Sequence, residues 1–385
     1  IDGQRQVDIS EWFGRVQSTF SKHPRSPHPD VFRVSNDPSE GCTSVGRSVW
    51  HIDGTFMPTL NGAEESIFEY FVDPADKAWK VWKPPIWEYP EGDSLDFSNL
   101  LVPTMDSTRS LFVTSELHKQ KKAVLMVGGP GTAKTSTALM FFGGLDPHEM
   151  LKKVVSFSSA TAPIGAQSAV EVEVEKRGGK SFGPPANKKM TFFFDDMSMP
   201  EVNKWGDQIT LELVRLLVEY GGFSNLDKNL RGDFKKCVDL QYIAAMQHPG
   251  GGKNDIPNRL KRNFFIFNLV LPSIVSINDI YGQMIAGRFP AREFDGPPNE
   301  VLGMLTKSTI DLWRVCKDKL LPTPAKFHYI FNMRELSRVF QGFLSCEKEI
   351  LMGGGTRGEE GTLGLKTEHI ISAIWRHECE RVFQD

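Results

Sequence analysis

The segment Gly128-Gly129-Pro130-Gly131-Thr132-Ala133-Lys134-Thr135 follows the apolar run Ala123–Val127, and its residue types at that spacing suit phosphate chemistry. A buried strand that ends in a glycine-rich turn, with a helix starting from the turn, aims backbone N–H groups and the positive end of the helix dipole at an anion. Lys134 would neutralise the β and γ phosphates, and the Thr135 hydroxyl would hold Mg²⁺. One letter departs from G-x-x-x-x-G-K-[ST]: Ala133 stands where the last Gly is expected. Ala is penalised only where φ is positive, so the substitution is tolerable if position 133 is already helical. The competing account is an ordinary glycine turn before a helix.

A phosphate loop needs acidic residues at the tip of another strand, to hold the metal and to orient an attacking water. Thr191-Phe192-Phe193-Phe194-Asp195-Asp196 supplies them. The apolar run is what a strand buried on both faces shows, and open α/β sheets place ligands at the carboxyl ends of strands. Asp195 is the metal-side candidate and Asp196 the candidate for polarising water. A glutamate is usual at the second position in hydrolysing enzymes of this type. Aspartate is one methylene shorter, so binding is the safer expectation than hydrolysis. The alternative is a pair of acids that caps the next segment.

Further on, Ala245-Met246-Gln247-His248-Pro249-Gly250 leaves the next strand. Gln247 or His248 could reach a γ phosphate or water there, against the reading of a mobile loop. Arg259 and Arg262 precede another strand, where they suit either phosphates of a neighbouring domain or surface ion pairs. Arg334 opens a helix late in the chain, placed to close onto nucleotide or to form a structural ion pair.

These residues need a frame, and the hydrophobic pattern supplies one. From about residue 100, short apolar runs alternate with amphipathic stretches, as in a doubly wound parallel sheet. Strands are expected at Ala123–Val127, Val154–Phe157, Thr191–Phe194, Leu240–Ala245 and Phe264–Val270. Helices are expected at Thr135–Phe142, Pro163–Lys176, Gln208–Tyr220 and Pro257–Arg262. After Pro272 only helices are expected, at Ser276–Ala286, Glu300–Leu320, Arg334–Glu349 and Lys366–Gln384, with Gly353–Gly358 as a loop. Before residue 100 the pattern is weaker. A short helix is read at Ile9–Phe20, and Ser66–Val72 with Trp79–Trp82 reads as two short strands or a hairpin around Asp73-Pro74. Trp79, Trp82 and Trp87 are read as anchors of an extended segment, in preference to a stacking surface for ligand. The domains are therefore taken as 1–95, a connecting segment; 96–272, an α/β nucleotide-binding part; and 273–385, a helical lid.

Bulk composition narrows the rest. Net charge is -3, with Lys and Arg scattered, which argues against nucleic acid as a partner. The five cysteines are widely separated, with no C-x-x-C, so free thiols in a reduced compartment are expected and zinc is not. No apolar stretch approaches the ~18 residues of a membrane span. Ile1-Asp2-Gly3 is neither a start methionine nor a targeting segment, and the chain reads as a piece of something longer.

Several segments together resemble the axonemal dynein heavy chains, most closely the third AAA+ module of the outer-arm type. They are Tyr70–Asp73, Leu101–Asp106, Gly131–Thr135, Phe157–Thr161, Asp195–Pro200, Asn203–Gln208, His248–Pro257, Leu321–Asn332 and His377–Val382. The resemblance covers about residues 64 to 385. It implies an AAA+ P-loop core with a five-stranded parallel sheet and flanking helices, followed by an α-helical lid, set in a ring of six modules within one long chain. It also implies ATP or ADP with Mg²⁺ as ligands and neighbouring modules as immediate partners. Intermediate and light chains and microtubules are implied as partners of the parent, and the cytoskeleton of a cilium or flagellum as its place. No membrane or nucleic-acid partner is implied. Lys134 and Thr135 match the Walker A positions, Asp195 and Asp196 the Walker B positions, Arg334 the lid arginine called sensor II, and Gln247 or His248 sensor I. Arg262 is preferred over Arg259 as the arginine supplied in trans. Val102 and Pro103 join Gly128–Thr135 as nucleotide-side residues. Third modules of this kind are thought to gate the main motor site, so a nucleotide-dependent switch fits both the resemblance and Asp196. Two readings of function follow: slow ATP hydrolysis, or a nucleotide held as a structural ligand that biases the lid. A third, an unrelated P-loop helicase or small-molecule kinase, would need a basic groove or substrate pocket, and neither is legible. The first 60 residues match nothing in the family, and Gly353–Gly361 reads as an insertion in the lid.

Overall fold

The computed structural model describes residues 51–52, 55–56, 70–73, 75, 78–90, 97, 100–226, 232–250, 253–294, 296–326, 329–347 and 366–384. The expected helix at Ile9–Phe20, the start of the expected strand at Ser66–Val72 and the loop Gly353–Gly358 lie outside them. The chain divides between Pro84 and Pro85 into two units. In the first, β1 (His51–Ile52) pairs antiparallel with β2 (Thr55–Phe56), and β3 (Tyr70–Val72) with β4 (Trp79–Val81). The β3–β4 hairpin matches one of the two expected forms. Asp73 closes it by accepting from the Ala75 N–H at 2.9 Å and from Lys80 Nζ at 2.6 Å. Phe71 stacks on Trp82 at 4.1 Å, so Trp82 anchors the hairpin.

The second unit begins with α1 (Met105–Lys119) and β5 (Ala123–Gly128), then α2 (Lys134–Gly143), β6 (Met150–Ser156) and α3 (Pro163–Glu171). Next come β7 (Glu175–Gly178), β8 (Ser181–Gly183), β9 (Lys189–Asp195), α4 (Ile209–Tyr220), β10 (Gly222–Ser224), β11 (Phe234–Cys237) and β12 (Leu240–Met246). The core closes with α5 (Asn258–Lys261) and β13 (Phe264–Leu269). The five expected strands form one parallel sheet in the order β13-β5-β12-β9-β6. Alternation along β9 splits its phenylalanines between the two faces of the sheet. Phe192 and Phe194 enter the core beneath α3 and α4 with Leu211, Val214 and Leu217, while Phe193 enters the core beneath α2 with Val124, Phe141 and Phe142. Burial on both faces is why this strand reads as an unbroken apolar run.

Three features depart from the sequence reading. The helix expected over Pro163–Lys176 ends at Glu171, and Glu175–Gly178 is a strand. Gly178-Gly179 is the turn signal of a hairpin, and Gly179, at φ +56°, leads β7 back antiparallel onto β8. β7 and β8 join β10 and β11 in a second sheet of order β10-β11-β8-β7, which the sequence reading did not contain. It also did not contain α1, whose buried residues Ser107, Ser110, Thr114 and His118 are polar. Ser110 and Thr114 donate to carbonyls four residues back, and His118 Nε2 lies 2.9 Å from Thr191 Oγ1 on β9.

Burial, with a smaller contribution from Lys189, holds the His118 pKa below its ordinary value. The folded chain therefore takes up this proton less readily than the unfolded one. The resulting stability is complete above the unfolded pKa of about 6.5 and falls as pH drops below it. A melting temperature followed from pH 7.5 to 5.5 is expected to decline less steeply in His118→Gln than in the parent chain.

After Pro272 the described residues hold helices alone, as expected: α6 (Ile274–Arg288), α7 (Pro297–Lys319), α8 (Met333–Leu344) and α9 (Thr367–Phe383). Their core gathers Tyr281, Phe289, Trp313, Leu336, Phe340 and Ile371, and it also receives Leu100 and Val102 from the segment before α1. α8 starts in a capping box, with the Asn332 side chain accepting from Arg334 N–H and Glu335 accepting from Asn332 N–H. Trp313 Nε1 fixes the same turn by donating to the Asn332 carbonyl at 3.0 Å. Among the described residues no helix is long and apolar enough to cross a membrane, and Cys237, Cys316, Cys346 and Cys379 are free thiols.

Candidate functional site

Sheet register assembles the site. Val127 of β5 pairs with Met246 of β12, and Ala244 of β12 with Phe194 of β9, so the turn after Gly128, Gln247 and Asp195 all emerge at the carboxyl edge. A cleft of about 510 Å³ opens there. Pro130–Thr135, Asp195, Asp196 and Gln247 line it from the sheet, Val102 from the segment before α1, and Arg334 from α8.

The Lys134 ammonium is buried and donates to the carbonyls of Gly128 at 3.0 Å and Gly129 at 2.7 Å. Burial lowers its pKa, opposed by the carboxylates of Asp196 and Asp195 and reinforced by the Arg334 guanidinium. Two cations from different elements thus share one cleft with two carboxylates. Thr135 Oγ1 donates to Asp195 Oδ2 at 2.9 Å, tying the first turn of α2 to the tip of β9. The lid closes on the same loop. Gly131, at φ +79°, sits so near the start of α8 that a Cβ there would lie 3.1 Å from Met333 Cβ.

Position 133 does not meet the condition under which alanine is free of penalty. Ala133 is not helical; it is the N-cap of α2 with φ 58° and ψ 27°, in the left-handed region. Its cap makes no side-chain hydrogen bond, so the first N–H groups of α2 remain directed outward. A left-handed residue with a Cβ costs ~1–2 kcal/mol, and glycine returns ~0.4–1 kcal/mol of that through the freedom of the unfolded chain. Ala133→Gly is therefore expected to stabilise the chain by about 0.5–1 kcal/mol, a rise of roughly 1–4 °C in melting temperature. A fall on thermal denaturation would contradict the left-handed cap. Asp196 is also left-handed, at φ 52°. Its N–H donates to Asp195 Oδ1 at 3.0 Å, so a strained backbone sets both carboxylates at the strand tip.

Not every sequence-predicted residue reaches the cleft. Gly128 and Gly129 contribute carbonyls to Lys134 but are not in its lining, and neither is Pro103. Of the pair left open at the end of β12, Gln247 lines the cleft, while His248 is exposed and outside it. Arg259 and Arg262 lie at the opposite edge of the sheet, because Phe264 pairs with Ala123 at the start of β5. Six strand residues separate that edge from the loop, about 20 Å. Neither arginine can therefore serve this chain's own loop. Arg262 pairs with Glu219 at 2.7 Å and Arg259 with Glu212 at 3.1 Å, and both remain largely exposed. Residues the sequence reading did not name complete the cleft, notably Met140, Ile280, Tyr281, Met284 and Ser337. The spacing of Tyr281 and Met284, three apart on one helical face, was the available signal. A face that meets ligand has the same pattern as one that meets core.

The residues present suit a nucleoside phosphate with Mg²⁺. Uncapped N–H groups at a helix start, a buried ammonium and a guanidinium are an anion's partners. A threonine hydroxyl beside an aspartate offers the hard oxygen ligands Mg²⁺ takes in such sites. Lys134, Arg334 and the α2 N-terminus would hold the phosphates, and Thr135 with Asp195 the metal, which supplies charge neutralisation when bound.

Comparison with known proteins places this geometry. The family model described as the P-loop containing dynein motor region matches residues 88–272, and that of the AAA+ lid domain matches residues 305–385. The gamma chain of the flagellar outer-arm dynein of Chlamydomonas reinhardtii is 44% identical over 333 residues, which is 86% of this chain and 7% of that one. Mouse axonemal dynein heavy chain 5 is 43% identical over 332 residues, again 86% of this chain and 7% of the relative. Human axonemal dynein heavy chain 8 is 43% identical over 328 residues, 84% and 7% respectively. The chain thus spans about 7% of the length of these relatives.

Proposed function

The chain belongs to the AAA+ motor region of the axonemal dynein heavy chains, and from that premise we propose that it is the nucleotide-binding third module of the motor ring, a switch that holds ATP or ADP with Mg²⁺ and turns it over slowly or not at all. The observation that carries this reading is the convergence of Lys134, the Thr135–Asp195 pair and Arg334 on one cleft between core and lid. Nucleotide there touches both bodies, so its identity biases the angle between them. Neighbouring modules of the same heavy chain are the immediate partners. Intermediate and light chains and microtubules belong to the parent motor, in the axoneme of a cilium or flagellum.

Asp196 sets the expected rate. Its carboxylate hangs from a left-handed residue and is one methylene shorter than a glutamate, which favours holding nucleotide over activating water. Faster hydrolysis is the second reading, and Gln247 in the cleft favours it, since an amide there can orient a water beside the terminal phosphate. Arg259 and Arg262 fit a role toward an adjacent module, being exposed at the far edge.

Calorimetry of ATP and ADP with Mg²⁺, with phosphate release measured on the same samples, tests the proposal. Binding with negligible release supports the switch. Brisk steady release restores the hydrolytic reading, and no binding of either nucleotide removes both. Asp196→Glu separates causes: a gain of about tenfold or more in release makes carboxylate reach the limit, within the ~10²–10⁴-fold range of a positioned general base.

A further inference from the structure

The lid wall of the cleft carries a pair of hydroxyls outside the phosphate and metal positions. Tyr281 on α6 and Ser337 on α8 both line the cleft, with their oxygens 2.7 Å apart. Ser337 Oγ also lies 2.8 Å from the Met333 carbonyl, to which it donates. Each hydroxyl has one proton. Only one assignment serves both contacts: Ser337 donates to Met333, and Tyr281 donates to Ser337. Both protons are then committed, and what the pair offers to anything else is lone pairs. Stacking of Tyr281 on Phe340 at 4.1 Å holds the ring, and burial pushes its phenol up to about 12, so it stays a neutral hydroxyl.

An acceptor-only pair rejects a phosphate and matches a ligand O–H or N–H. The cleft is therefore zoned along α8. Arg334 faces the anionic end with Lys134. Ser337 lies three residues further on the same helical face, a rise of about 4.5 Å, the step from a phosphate to the adjoining sugar. The lining also includes the apolar side chains of Leu100, Ile280 and Met284, which suit a base. We propose that Tyr281 and Ser337 form the ribose station of this site, accepting from a sugar hydroxyl and selecting ribonucleotides over deoxyribonucleotides. This inference rests on the nucleotide reading above. It makes Tyr281 and Ser337 specificity residues, reached only when the lid is in place against the loop.

The test measures the affinities of the chain for ATP, 2′-deoxy-ATP, 3′-deoxy-ATP and ITP with Mg²⁺, in the parent chain and in Tyr281→Phe and Ser337→Ala. Phenylalanine keeps the stacking on Phe340 and removes the acceptor, and thermal melting verifies that both variants fold. In the parent chain, loss of one sugar hydroxyl is expected to weaken binding about tenfold, the worth of one good hydrogen bond. In Tyr281→Phe that penalty should shrink to within about twofold, with ATP itself weakened to the level of the deoxynucleotide. An unchanged sugar penalty in both variants overturns the inference while leaving the nucleotide reading intact. If the variants instead abolish discrimination between ATP and ITP and leave the sugar penalty alone, the pair faces the base and the ribose assignment is wrong. Failure of the parent chain to bind any of the four would overturn the nucleotide reading and this inference with it.

Discussion

Lys134→Ala is expected to weaken ATP binding by on the order of 100-fold, because a buried, charge-assisted contact to phosphate is worth up to ~3 kcal/mol and each 1.4 kcal/mol is tenfold. The same substitution should leave the melting temperature nearly unchanged or slightly higher. Burial already works against the charged form of Lys134, so removing the ammonium relieves a desolvation cost while losing its bonds to the Gly128 and Gly129 carbonyls. Those bonds raise a second account, in which lysine acts only by shaping the loop. Lys134→Met separates the two, since it keeps the aliphatic stem in place. Equal loss of binding in Met and Ala variants, with both folded, assigns the loss to charge. Retained binding in the Met variant would show that the loop needs filling and not neutralising.

What the sequence made legible follows from which physical signals are local. The run Phe192-Phe193-Phe194 ending in Asp195-Asp196 could be placed at a strand tip because burial on both faces and a carboxyl-edge site are each written in consecutive residues. The phosphate loop was legible for the same reason. α1 was not, although its buried positions Ser107, Ser110, Thr114 and His118 keep helical spacing. Their polarity hides the stripe, and only the structure shows the carbonyls and the Thr191 hydroxyl that satisfy it. The second sheet was hidden for another reason. Its strands are short and charged, as in Glu175–Gly178 and Phe234–Cys237, and β11 pairs with β8 across more than fifty residues of chain. Backbone conformation was the third blind spot. Whether Ala133 is helical or left-handed depends on how β5 hands over to α2, and nothing in the letters distinguishes the two.

Gly128→Ala tests that handover where it is tightest. Gly128 is the last residue of β5 and pairs with Leu269 of β13. A Cβ there would lie 2.5 Å from the Leu269 carbonyl oxygen and 2.6 Å from Thr132 Oγ1. Neither neighbour can give way cheaply. The carbonyl belongs to the parallel ladder, and the Thr132 hydroxyl donates to Gly129 within the loop that Lys134 bridges. Crowding of this kind costs about 1–3 kcal/mol or more, so a fall of roughly 2–10 °C in melting temperature is expected for a core of this size, together with loss of measurable ATP binding. Gly129→Ala supplies the contrast, because the nearest atom to a Cβ there is Thr132 Cγ2 at 3.9 Å. That variant should melt within a degree or two of the parent. If both substitutions were equally harmful, the glycines would matter for loop flexibility in general. If only Gly128→Ala fails, the requirement is local: β5 must reach its tip without a side chain for the loop to turn toward Lys134 and for the phosphate contacts to exist at all.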